Sequence, residues 1–221
     1  MKNNTFNKYE IEDLEFALEE FLKVNNIIIS KRKCVEVKNF NELTELIIDN
    51  IDLENTDDCT SQDVFYKLKK IITNYFKISE DITPKTNLEK LVPIAMRRKL
   101  VKTIDKELGF KTNILKPPNF VSIALIIIFI CSLIYLFFDF WNGLLLSIII
   151  FCIINLVSKF GFCFRSKTLG EITKKIVTEN YMKLRSKKET VNKNEFRAVI
   201  LEWFSDRMDM KKHELENVTF N

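Results

Sequence analysis

VSIALIIIFICSLIYLFF at 121–138, the connector DFWNG at 139–143 and LLLSIIIFCIINLV at 144–157 decide how the rest of this chain is read. Neither apolar stretch holds a charged side chain. Asp139 is the only charge in the whole of 117–158, although the 221-residue chain carries 34 Lys+Arg and 30 Asp+Glu. The average composition, 47% hydrophobic and 29% charged, therefore conceals a very polar protein joined to a very apolar segment. A transmembrane helix needs roughly 20 predominantly apolar residues to cross about 30 Å of hydrocarbon. The first stretch meets that length, and the second does so if Lys159 reaches back to the headgroups. Trp141 suits an interface and Gly143 a turn, so the pattern predicts two antiparallel spans and a multi-pass protein. Lys111 and Lys116 precede the hairpin, and Lys159, Arg165 and Lys167 follow it, while the acid sits at the tip. The positive-inside tendency then predicts that both termini are cytoplasmic and that the bilayer is the inner (cytoplasmic) membrane. An apolar segment that begins only at 121 argues against a cleaved signal peptide. A buried helical pair in a soluble core would need more surrounding protein than this chain offers.

Composition excludes several kinds of chemistry. Four unclustered glycines supply no phosphate-cradling loop. A single histidine, His213, rules out two-histidine metal motifs and disfavours a histidine-based triad. Cysteines at 34, 59, 131, 152 and 163 lack paired metal spacing and fit a reduced setting. Neither span carries a charge that could relay ions or protons. Adjacent carboxylates such as Glu19 and Glu20 point apart on a helix and make a poor acid/base pair. The reading is therefore of a non-enzyme with no metal and no cofactor, and a net charge of +4 is too small to suggest nucleic acid.

The polar regions are predicted to be helical and internally repeated. Val64, Leu68, Ile71, Ile72 and Tyr75 make one helical face, and Phe196, Ile200, Trp203 and Phe204 reproduce it 132 positions later. Each is preceded by a polar residue three before an acid, Thr60 before Asp63 and Asn192 before Glu195. Phe40, Leu43, Leu46 and Ile47 match Leu169, Ile172, Lys175 and Ile176 at an offset of 129, and Leu14, Leu18, Ile28 and Ile29 match Leu100, Ile104, Ile114 and Leu115 at 86. Three matches in compatible order indicate a repeated unit of long helix, loop, second helix and final capped helix. In the middle copy these fall at about 61–78, 79–92, 94–109 and 168–182, which makes the hairpin an insertion. The N-terminal copy begins with its second helix, near 11–22, and the C-terminal segment supplies a first helix at 193–208. An amphipathic helix that cannot bury its stripe is unstable alone. The C-terminal helix is therefore expected to pack on the N-terminal half, within one chain or, alternatively, head to tail between chains.

The stretch from Val64 through Phe110, with ISEDITPKTNLEKL at 78–91 and KLVKTIDKELGF at 99–110, resembles acyl carrier proteins, as does TLGEITKKI at 168–176. The resemblance implies an all-α fold of two carrier-like helical bundles plus a two-helix transmembrane hairpin. Bundle A would comprise 1–55 and, circularly permuted, 190–221. Bundle B would comprise 60–116 and 165–183, with the hairpin at 117–164 inserted. Where the family places its modified serine, this chain has Val92-Pro93-Ile94-Ala95-Met96, and the N-terminal copy has Asn7-Lys8-Tyr9. Phosphopantetheine needs a hydroxyl, so the scaffold is read as degenerate.

The second helices differ in charge. Glu10, Glu12, Asp13, Glu15, Glu19 and Glu20 make one acidic, like the helix with which carrier proteins meet their enzymes, whereas Arg97, Arg98, Lys99, Lys102 and Lys106 make the other basic. Glu12, Glu15 and Glu19 would steer a basic protein partner, while Arg97, Arg98 and Lys102 would face anionic headgroups or an acidic protein. Both sets are equally consistent with plain solvated faces. Asn155 could hydrogen-bond the first span or a neighbouring hairpin and so support a homo-oligomer. The expected function is a non-catalytic, membrane-anchored protein-binding module, of the toxin-immunity or adaptor kind. The alternatives are a membrane-anchored carrier component of acyl or lipid metabolism and a small oligomeric transport component.

Overall fold

The structure, a computed structural model, describes residues 4–77, 81–158 and 161–220. Among these the chain is predominantly helical: α1 (Lys8–Asn25), α2 (Lys31–Val35), α3 (Phe40–Asp49), α4 (Thr60–Phe76), α5 (Leu88–Leu91), α6 (Ile94–Leu108), α7 (Asn119–Tyr135), α8 (Phe140–Ser158), α9 (Leu169–Leu184), α10 (Lys193–Met208) and α11 (Lys212–Leu215). Six two-residue strands tie distant segments together: β1 (Asn4–Thr5), β2 (Glu54–Asn55), β3 (Leu115–Lys116), β4 (Cys163–Phe164), β5 (Thr190–Val191) and β6 (Val218–Thr219). The pairs are β1 with β6 and β2 with β5, both parallel, and β3 with β4, antiparallel.

The fold divides into two units, Met1–Lys67 with Thr173–Asn221, and Leu68–Ile172. The division falls inside α4 and α9 rather than between elements. The reason lies in the ends of those helices. Glu195 accepts the N–H groups of Thr60 (2.8 Å) and Ser61 (2.7 Å), and Arg185 reaches the Thr60 hydroxyl, so the start of α4 belongs to the first unit. The start of α9 belongs to the second unit, where Leu169 and Gly170 donate to the carbonyls of Thr86 and Pro84. Gly170 has no room for a side chain: a Cβ would lie 2.9 Å from the Pro84 carbonyl oxygen.

In the first unit α10 packs on α1 and α3. Its core is aromatic. Phe21, fully buried, meets Phe196, Trp203 and Phe204 at centroid distances of 5.7, 5.4 and 5.8 Å, Phe40 meets Phe204 edge-on at 5.4 Å, and Tyr181 meets Phe196 at 4.9 Å. Such pairs add about 0.5–1.5 kcal/mol each to simple burial. Arg185 lies in this unit at 3% exposure and donates to the carbonyls of Asp58 and Thr190 and the hydroxyls of Thr56, Thr60 and Thr190. Five donors on five neutral acceptors lock the 56–60 loop and β5 together.

The second unit is aliphatic, built on Leu68, Ile72, Leu88, Val92, Leu100, Ile104, Ile114 and Leu169. Two backbone contacts recur at the offsets of the sequence matches. Asn39 bridges Thr219 in the first unit and Thr168 bridges Asn87 in the second, positions related by the offsets 129 and 132. Phe220 donates to the Lys38 carbonyl as Leu88 does to that of Lys167. Leu14 and Leu18 are buried like Leu100 and Ile104. One expected match fails: Ile28 is 90% exposed whereas Ile114 is buried, because α1 ends in a left-handed Asn26 that turns Ile27 inward instead.

Helix α7 packs on α8. Ser132 and Ser147 hydrogen-bond across the pair at 3.0 Å, both buried, and Gly143 lets the turn close, since a Cβ there would lie 2.8 Å from the backbone of Leu136. The pattern predicted that the first stretch would be the longer helix, but α7 ends at Tyr135 and 136–138 form turns, leaving 17 residues against 19 in α8. Among the described residues α8 alone is long and apolar enough, by length and composition, to cross a membrane. Lys159, which was to extend the second span, lies outside the described residues. Asn155 donates to the carbonyl of Phe151 in its own helix at 2.9 Å, and the serine pair makes a polar contact between α7 and α8.

Candidate partner-binding surface

The acidic face stands on a well-started helix. Asn7 caps α1 by accepting the N–H groups of Tyr9 (2.9 Å) and Glu10 (3.1 Å), and the Glu10 carboxylate returns to the Asn7 N–H at 2.7 Å. Leu14, Ala17, Leu18 and Phe21 bury one stripe, which turns Glu12, Glu15 and Glu19 outward. Glu12 lies 3.9 Å from Lys8 and Glu19 lies 4.0 Å from Lys31, exposed pairs that hold little energy and leave the acids available. Glu20 is committed elsewhere: it holds Arg207 of α10 at 3.0 and 3.1 Å, and that guanidinium lies 4.3 Å over the Trp203 ring.

Two aromatic residues share this face. Tyr9 is 76% exposed and Phe16 is 72% exposed, and with Glu12 and Glu19 they recur at helical spacing, Phe16 lying between those two acids. A shallow, open depression lined by Phe6, Lys8, Ile11, Glu12 and Glu15 adjoins the helix start. Sequence reasoning named the acids and passed over Tyr9 and Phe16. The signal was present in their phase, since neither falls on the Leu14–Leu18–Phe21 stripe.

The basic helix is not one surface. Arg97 points inward, at 6% exposure, and donates to the carbonyls of Val92 (3.0 Å), Phe162 (3.2 Å) and Glu89 (2.9 Å), with its guanidinium 5.4 Å over the Phe164 ring. This corrects its assignment to a partner surface. A buried guanidinium must satisfy its donors, and the carbonyls of Glu89 and Val92 in α5 and at its C-terminal end, with that of Phe162 just before β4, do so. Arg98 is exposed and donates to the Gly161 carbonyl at 3.3 Å, and Lys102 is exposed. Glu12, Glu15 and Glu19 thus lie together in the first unit, and Arg98 and Lys102 lie together in the second.

Among the described residues no three His, Cys, Asp or Glu side chains gather to hold a metal ion. His213 is exposed beside Glu214. Burial, helped by Glu15, pushes the Cys34 thiol up, and burial also raises Cys59, away from the reactive thiolate. The Tyr181 phenol is pushed up to about 12, mainly by burial. In the stretch 92–96, Val92 is buried, Pro93 occupies the cap position before α6, and Ile94 and Met96 are exposed. Comparison with protein-family models, with curated proteins and with solved structures gives no match.

Proposed function

We propose that this chain is a non-catalytic, membrane-anchored protein-binding module built on two degenerate acyl-carrier-like bundles, of the toxin-immunity or adaptor kind. The observation that carries the reading is the outer face of α1, where Tyr9 and Phe16 stand exposed among Glu12, Glu15 and Glu19. Exposed aromatics beside acids held only in weak, solvent-exposed ion pairs suit a partner presenting apolar and basic groups together. The helix pair α7–α8 serves as anchor, supported by the exposed Ile, Leu and Phe side chains along both helices, which water would solvate poorly. The reading of the first unit as a circular permutant is supported by Phe6 and Phe220, whose rings stack at 5.9 Å in the positions equivalent to Val92 and Leu88.

The test has two arms. Resistance to alkaline carbonate extraction, with protease sensitivity of both ends from the cytoplasmic side, reads the anchor and its orientation. A photoreactive residue at Phe16, compared with one at Lys23, reads the surface, with Glu12→Lys, Glu15→Lys and Glu19→Lys combined in one variant. The proposal expects one crosslinked partner lost in the charge-reversed variant while its circular dichroism stays unchanged. Undiminished crosslinking in that variant would remove the acidic face from the account.

A further inference from the structure

The second helical unit brings the base of the α7–α8 pair against α6. Strands β3 and β4 pair Leu115 with Phe164 and Lys116 with Cys163, so the segment leading into the pair and the segment leaving it lie side by side. Gly161 sits at this junction so tightly that a Cβ would fall 2.5 Å from the Lys116 backbone. The Gly161 carbonyl accepts from Arg98, which ties α6 to the segment that leaves the pair. From Arg98, Lys102 and Lys106 follow at four-residue steps on one exposed stripe, with exposed Ile94 one turn before it. Lys111, five residues beyond the stripe, is exposed, as is Arg165, which donates to the Asn113 carbonyl at 2.8 Å. Lys99, Lys102, Lys106 and Lys111 form no ion pair among the described residues. The opposite end of the pair carries Asp139 with exposed Phe137, Phe138, Phe140 and Trp141, and no cation.

We propose that the stripe Arg98–Lys102–Lys106, anchored to Gly161 at the base of the helix pair, binds the headgroups of anionic phospholipids and holds α6 against the membrane surface. The inference rests on the membrane reading of α7 and α8 and adds the lipid class and the residues that select it. Charge complementarity favours lipid over an acidic protein, because the Arg98 contact puts the stripe at the place where an apolar helix leaves the bilayer. A polybasic segment gains about 1 kcal/mol per Lys or Arg near such a surface, and the effect fades within a Debye length of about 8 Å at physiological salt. Ile94 adds an apolar contact at the start of the stripe.

The full-length protein, reconstituted in nanodiscs of phosphatidylcholine alone or mixed with phosphatidylglycerol, is treated with an amine-reactive reagent, and each lysine is read by mass spectrometry. Labelling of Lys102 and Lys106 is expected to fall about fivefold in the anionic discs and to recover at high salt. The variant Lys102→Glu with Lys106→Glu should stay carbonate-resistant in cells yet lose the difference between the two lipids at Lys99 and Lys111. Equal labelling in both lipids, in a protein that does insert, overturns the headgroup site and leaves the anchor standing. Protection in phosphatidylcholine discs by millimolar inorganic phosphate would likewise overturn it, assigning the stripe to a soluble anion. Failure to insert in either disc overturns the membrane reading and the headgroup site together.

Discussion

Glu195→Ala should destabilise the first unit by about 3 kcal/mol, counting only its two bonds to backbone N–H groups, each at the low end of the range of about 1.5–3 kcal/mol because the site is half-buried. The Glu195 carboxylate caps a helix to which it does not belong, accepting the N–H groups of Thr60 and Ser61 at 2.8 and 2.7 Å and the Ser61 hydroxyl at 2.7 Å. Without it the first N–H groups of α4 have no partner. Glu195→Gln keeps one acceptor oxygen and loses the charge facing the helix N-terminus, so about half that loss is expected, roughly 1.5 kcal/mol. Trp203 lies in the core of this unit and reports its unfolding by fluorescence in denaturant, in a Trp141→Phe background that removes the second indole. Burial alone would raise the Glu195 carboxyl, but the hydrogen bonds from Ser61 and Thr60 outweigh it and hold the group below its ordinary value. A depressed carboxylate contributes stability that is complete above its unfolded value and is lost as pH falls through the folded one. The advantage of wild type over Glu195→Gln should therefore shrink on the acid side of the ordinary glutamate range and stay constant at neutral pH. A Glu195→Ala protein within about 0.5 kcal/mol of wild type would refute the cross-helix cap.

Arg97→Ala should cost about 3–5 kcal/mol, because three carbonyls lose a buried charged donor, while Lys102→Ala should stay within about 0.5 kcal/mol. Hydrogen exchange of α5 and α6 separates the two, and similar protection in both variants would count against the inward arginine. Gly143→Ala drives a methyl into the Leu136 backbone and should weaken the α7–α8 pair by about 1–3 kcal/mol, read as a lower midpoint on titration with a denaturing detergent. Coexpression with a phosphopantetheinyl transferase should leave the intact mass unchanged, and a gain of the prosthetic group would place a nucleophile that Val92–Met96 and Asn7–Tyr9 do not supply.

The helices themselves were legible in the chain because their causes are local. Apolar spacing at 3.6 residues marked α4 and α10, and the boxes Asn39–Glu42 and Thr168–Glu171 marked the starts of α3 and α9. The matched positions agree in part, since Leu14 and Leu18 are buried like Leu100 and Ile104 whereas Ile28 and Ile114 differ. What α1 would show to a partner was half legible: the acids declared themselves by charge, whereas the exposure of Tyr9 and Phe16 could be read only from their phase, off the stripe of Leu14 and Leu18. Side chains with long reach were decided only by tertiary structure. Glu195 satisfies the local rule for closing a box on Asn192, and Arg97 carries the charge of an exposed face although it shares the helical phase of Leu100 and Ile104, yet each turns to unpaired backbone groups supplied by segments up to 135 residues away. A helix end or a loop carbonyl left without a partner is costly in the interior. Which charged side chain is drawn in to meet it depends on what the fold brings near, a distance that the order of residues does not encode.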